Sequence, residues 1–217
     1  MASTSSSAPP RKYDVFISFR GKEIRKRFLS HLFHSLVRKQ IKTFLDESLD
    51  KGEEISPALL KIIQESSLSI VIFSENYADS PWYLDELVKI LECKETLGQI
   101  VPPVFYEVDP TDVQEPRGKF KEAFDIAKHE EQVKGSLQKV DKWKHALIEV
   151  SNFSGWDSRD KDESKLVEEI VNDALKKLSH MSSSDDYHDD NLIGIESRVE
   201  KMEKLLNDKR VVGIWGM

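Results

Sequence analysis

Trp82 and Glu86 are the pair whose types and spacing could do chemistry. They lie four residues apart in SPWYLDELVKI, where Ser80 suits a helix N-cap and Pro81 the first helical position. Side chains at i and i+4 share one helical face. Leu84, Leu87, Val88 and Leu91 recur at core spacing on the other side, so the pattern predicts an aromatic beside a carboxylate, turned away from the core. Spacing alone favours a plainer reading: a solvated helix carboxylate and a Trp packed under a loop are the commoner fate of such a pair. Other residues join them. Arg20, Gly21 and Arg25 follow one apolar run, and Asp46 follows a second. Two cations, a glycine turn, a flat aromatic and two carboxylates suit a dinucleotide, with pyrophosphate on the arginines and a ring against the indole.

These residues need a scaffold that brings distant loops together. Tyr13 to Phe19 (YDVFISF), Ile41 to Leu45 and Leu68 to Ser74 (LSIVIFS) read as strands, and Ile100 to Val108 as a fourth that is an edge or begins after Pro102-Pro103. Ser154-Gly155-Trp156 is the nearest candidate for a short fifth. Between them lie helical patterns: Arg25 to Gln40, Pro57 to Gln64 behind the Ser56 cap, the Trp82/Glu86 helix, Lys119 to Glu131, Asp141 to Val150 and Ser164 to Leu178. Phe120, Phe124, Trp143 and Leu147 are the expected buried anchors, and Asp109-Pro110 reads as a turn. Strands alternating with helices give an α/β fold with a parallel sheet covered on both faces. Ligands of such sheets bind beyond the carboxyl ends of the strands, which is where Arg20, Gly21, Asp46 and the Glu75 to Glu86 stretch would gather.

The 217 residues carry a formal net charge of −7, which argues against nucleic acid or an anionic membrane as a bulk partner. The one cysteine, Cys93, precludes an internal disulfide, and no Cys/His cluster has zinc spacing, so no metal site is expected. MASTSSSAPP has no apolar core of signal-peptide length and no run approaches a membrane span, so a cytosolic or nuclear protein is expected. Residues 1–11 read as a flexible leader, 12–178 as one domain, and 179–190 as an acidic linker. Residues 191–217 read as the start of a further module that ends on an apolar strand and looks truncated.

The segments YDVFISFRG, FLDESLDKGEEISPALLKII, SIVIFSENYADSPWYLDELVKI and VPPVFYEVDPTDV, in that order, resemble a plant Toll/interleukin-1 receptor (TIR) domain. The tail NLIGIESRVEKMEKLL…VVGIWGM resembles the opening of the nucleotide-binding (NB-ARC) module that follows such domains in intracellular resistance receptors, stopping before the phosphate-binding glycine loop. The resemblance implies a flavodoxin-like three-layer α/β/α fold with a central parallel sheet of about five strands. It also implies an NAD+ (or NADP+) glycohydrolase that needs no cofactor, is activated by self-association, and makes nucleotide signals, cyclic ADP-ribose types among them. Downstream immune proteins would read those signals and trigger defence and cell death. Glu86 matches the family's catalytic glutamate. Arg20, Arg25, Asp46 and Trp82 match positions associated with holding the dinucleotide, while Ser30-His31 and Arg117-Gly118 match two self-association surfaces.

The chain departs from the family pattern in three places. FRGKEIR stands where FRGEDTR is frequent, Asp50 where relatives are often basic, and Tyr83 where a Cys is usual. Asp50 would weaken phosphate attraction and shift the choice between NAD+ and NADP+. A non-catalytic, self-associating scaffold is the competing reading. A phosphoacceptor receiver domain shares the strand order, but needs an acidic pair after the first strand and an Asp ending the third; Ser18-Phe19-Arg20 and Ser74 stand there instead.

Overall fold

A computed structural model describes residues 11–45 and 55–185. Five strands form one parallel sheet: β1 (Tyr13–Phe19), β2 (Thr43–Leu45), β3 (Ser66–Phe73), β4 (Pro103–Phe105) and β5 (Trp156–Asp157), in the order β2-β1-β3-β4-β5. This is the flavodoxin-like order expected from the sequence. Alternate residues of the central strands face opposite cores. Phe16 of β1 with Val71 and Phe73 of β3 point to one side, and Val15, Ile17, Leu68, Ile70 and Ile72 to the other. All eight residues of β3 are buried, as expected for a parallel strand covered on both faces.

The second side is covered by α1 (Lys22–Ile24), a π-helical segment (Arg25–Leu29), α2 (Ser30–Arg38) and α8 (Glu163–Asp185). The first side is covered by α3 (Pro57–Gln64), α4 (Pro81–Leu97), α6 (Gly118–Lys134) and α7 (Leu137–Ser151); the one-turn α5 (Pro110–Gln114) packs on α7. Phe120, Phe124, Trp143 and Leu147 are buried, as anticipated.

Several boundaries differ from the sequence reading. The first helical stretch starts at Lys22, not Arg25, and passes through a π turn, which hydrophobic periodicity does not reveal. Asp109-Pro110 is a helix start and not a simple turn: the Asp109 side chain accepts from the Thr111 N–H at 2.8 Å and Pro110 opens α5. The Pro102-Pro103 strand is no edge. β4 lies between β3 and β5 and begins on Pro103, within a residue of the alternative start after the pair, because prolines bring no N–H to the ladder and Pro102 joins β3 only through its carbonyl, which accepts from the Val71 N–H at 3.2 Å. The compact unit ends at Leu178, whereas α8 continues to Asp185 through the first residues read as linker. Residues 191–217 lie outside those described.

Candidate active site

The strand order changes direction between β1 and β3, and beyond the carboxyl ends of strands at such a point is where open α/β sheets bind their ligands. Two loops meet there. Arg20 and Gly21 leave β1; residues 74–80, including a 3-10 turn at Tyr77–Asp79, leave β3 and lead into α4. Three side-chain bonds join the two sides. The Arg20 guanidinium donates to the Asn76 carbonyl at 2.6 Å, Ser74 Oγ donates to the Arg20 carbonyl at 3.1 Å, and the Ser18 and Tyr77 hydroxyls are 2.8 Å apart. Arg20 also lies 3.5 Å from the Asp79 carboxylate. Gly21 turns at φ +119°, a conformation that L side chains rarely adopt, and hands the chain to α1.

Ser80 and Pro81 occupy the first positions of α4 as expected, but the Ser80 side chain makes no capping bond. The larger correction concerns the face of α4. Trp82 and Glu86 are not turned away from the core: they are 8% and 1% exposed, and Trp82 packs within the core of the first side. At 100° per residue the buried positions Trp82, Leu84, Glu86, Leu87, Ile90, Leu91 and Cys93 cover an arc of about 200°. The sheet takes one part of it, and α3, α7 and the Tyr77 turn take the rest. Glu86 is therefore a carboxylate inside the protein, at the carboxyl edge of the sheet.

Its surroundings are fixed from two sides. Next to it on α4, Asp85 accepts from Trp143 Nε1 at 2.7 Å and pairs with Lys139 at 2.9 Å, tying the helix to α7. On the sheet side, the buried Tyr77 hydroxyl is pushed well above its usual titration range, first by burial and then by the negative charge of Glu86, against the opposing bond from Ser18. Burial also raises the Cys93 thiol, which weighs against a nucleophilic role.

The remaining sequence candidates separate. Arg25 opens the π-helical segment and is half-buried, beyond the Gly21 turn. Asp46 and Asp50 lie outside the described residues. Ser30 and His31 start α2. The Ser30 carbonyl accepts from His34 Nδ1 at 2.7 Å, and exposed His31 lines a groove of about 460 Å³ with Ser35, Arg38, Glu163, Ser164 and Val167. Arg117 and Gly118 are both exposed at the start of α6, with Arg117 paired to Glu115 and Gly118 at φ +50°. Among the described residues no group of three His, Cys, Asp or Glu side chains could hold a metal ion, and no helix is long and apolar enough to cross a membrane.

Sequence reasoning missed Ser18, Tyr77 and the Asp85–Trp143 bond. Ser18 did leave a signal: it is a polar residue inside VFISF, a strand segment otherwise apolar and fully buried.

The family model of the TIR domain matches residues 12–195. The chain belongs to the TIR domain family. It is 46% identical over 225 residues to Disease resistance protein RPV1 of Vitis rotundifolia and 45% identical over 223 residues to TMV resistance protein N of Nicotiana glutinosa. These alignments take in 100% of this TIR chain but only 16% and 19% of those proteins, so it spans under a fifth of their length. Among solved structures, it is similar to the TIR domains of the activated Roq1 resistosome directly recognizing the pathogen effector XopQ. There the TM-score is 0.68 at 47% identity, covering 74% of this chain and 98% of that one.

Proposed function

We propose that this TIR domain is an NAD+ (or NADP+) glycohydrolase of plant immune signalling, switched on by self-association. The observation that carries the reading is the burial of Glu86 at the carboxyl edge of the sheet. An ionised carboxylate costs several kcal/mol to bury unless its surroundings compensate. A carboxylate buried at the carboxyl edge of an open α/β sheet is a functional-site candidate.

The chemistry asks little more of the protein. Water and NAD+ give ADP-ribose, nicotinamide and a proton. The bond that breaks joins ribose C1′ to a cationic pyridinium, so the ring leaves neutral and needs no general acid. Glu86 stabilises the oxocarbenium character developing at C1′ or holds the ribose hydroxyls, half of the two-carboxylate arrangement of glycosidases. Gly21 turns the chain at the mouth, Trp82, only 8% exposed, offers the substrate at most an edge of its indole, and Arg25 meets the pyrophosphate. Arg20 joins it only by giving up its bond to the Asn76 carbonyl and its partly exposed contact with Asp79, the latter worth at most about 1 kcal/mol, for the substrate phosphate.

Self-association is supported by the assembly named for the Roq1 TIR domains, and an immune role by the resistance proteins named as relatives. Ser30-His31 and Arg117-Gly118 are the surfaces proposed for it. A scaffold without catalysis remains the second reading, favoured by one observation: Arg20 already spends its guanidinium on Asn76 and Asp79. Nicotinamide release followed across protein concentration separates the two. The enzyme reading expects specific activity to rise with concentration; NAD+ left intact at every concentration supports the scaffold.

A further inference from the structure

The Ser18–Tyr77 pair enters none of the steps above. Ser18, near the end of β1, is 1% exposed, Tyr77 is fully buried, and their hydroxyl oxygens lie 2.8 Å apart. Two buried hydroxyls are costly unless they satisfy each other, and an apolar pair of similar shape would pack there without that requirement. The pair therefore specifies position more than it adds stability. The Tyr77 ring meets Phe73 of β3 edge-on at 5.0 Å between centroids and Tyr83 of α4 at 6.1 Å, while α6 packs on the same turn. One side chain thus touches the ends of both central strands and the first turn of the helix that bears Glu86.

Resting on the glycohydrolase reading, we propose that Tyr77 is a positioning residue: anchored by Ser18, it fixes the first turns of α4 so that Glu86 meets the ribose in its reactive geometry. The influence of the Glu86 charge on the phenol is consistent with that proximity. Tyr77 does not touch the substrate, because it has no exposed surface. Its loss should lower the rate of the chemical step and leave binding of the dinucleotide intact.

The test uses the full chain at assembling concentration, with nicotinamide release from NAD+ measured for wild type, Tyr77→Phe, Ser18→Ala and the double variant. Thermal melts accompany each. Each single variant is expected to lose about tenfold in kcat with KM within about twofold, and the double variant to be no worse than either single one, since both remove the same bond. Wild-type kcat in Tyr77→Phe, or losses that multiply in the double variant, overturns the proposal and leaves the glycohydrolase reading standing. No turnover in folded, assembled wild type removes that reading, and the proposal with it. If Tyr77→Phe does not fold, Ser18→Ala, the smaller deletion, decides by the same kcat and KM criteria.

Discussion

Replacing Asp85 perturbs the support of the candidate catalytic helix while leaving Glu86 in place. Its two oxygens serve different partners: Oδ1 accepts from Trp143 Nε1 at 2.7 Å, and Oδ2 pairs with Lys139 at 2.9 Å. Trp143 is 1% exposed and the Asp85 side chain 17%, so the indole N–H loses its protein acceptor when Asp85 is removed and reaches water only through the gap that Asp85 leaves. A buried donor left without an acceptor costs about 1–3 kcal/mol, and the half-exposed lysine pair adds up to about 1 kcal/mol. Asp85→Ala is therefore expected to destabilise the domain by roughly 1–4 kcal/mol. Asp85→Asn keeps an amide oxygen for the indole and should cost roughly 1 kcal/mol or less. With about 2–4 °C per kcal/mol for a domain of this size, Asp85→Ala lowers Tm by roughly 2–15 °C and Asp85→Asn by a few degrees at most. Melts followed by circular dichroism read the difference directly. Equal losses in the two variants would refute the reasoning, since the indole bond is what separates them.

Two further perturbations probe the sheet and its carboxyl edge. A Cβ on Gly155 would sit 2.1 Å from the Pro103 carbonyl oxygen and 2.9 Å from its carbonyl carbon, both rigid backbone, so Gly155→Ala must push β5 off β4. We expect a loss of about 3 kcal/mol or more, against about 1 kcal/mol for Gly98→Ala, which has open space and only an unfavourable φ; equal urea midpoints for the two would contradict this. Arg159 bridges the loop after β4 to β5, donating to Asp109 and Asp157 at 2.7 Å each. Asp109 is held below the usual carboxylate range first by the Thr111 N–H and then by Arg159, and Asp157 first by Arg159. Carboxyls with depressed folded values stabilise fully above their unfolded pKa of about 3.9 and lose that contribution as pH falls through the folded ones. The gap in urea midpoint between wild type and Arg159→Ala should thus be steady near neutral pH and close as pH falls below about 4. A gap that widens on acidification would reverse the sign.

Much of the scaffold was legible because local and global signals agree. The run YDVFISF is β1 from Tyr13 to Phe19, and Ser56-Pro57 opens α3 with the Ser56 hydroxyl accepting from the Leu59 N–H at 3.2 Å. The orientation of Trp82 and Glu86 was not legible. A periodic stripe reports one buried face, whereas α4 is buried over about 200° by the sheet and by a second layer whose approach depends on residues some sixty positions away, such as Trp143. The same cause hid Tyr77: it lies in a 3-10 turn where no periodicity applies, and its partner Ser18 comes from another strand. Arg20 was found as a cation at the right strand end, but not its bond to the Asn76 carbonyl, because backbone acceptors leave no trace in sequence.

The central claim is that Glu86 is the group that cleaves the nicotinamide–ribose bond. Nicotinamide release from NAD+ by purified protein, concentrated or with a crowding agent, tests it most directly when wild type is compared with Glu86→Ala. The account predicts turnover by wild type and a loss of at least a hundredfold in the folded variant, the scale on which removing a transition-state charge partner acts. Wild-type turnover in a folded Glu86→Ala protein would contradict it.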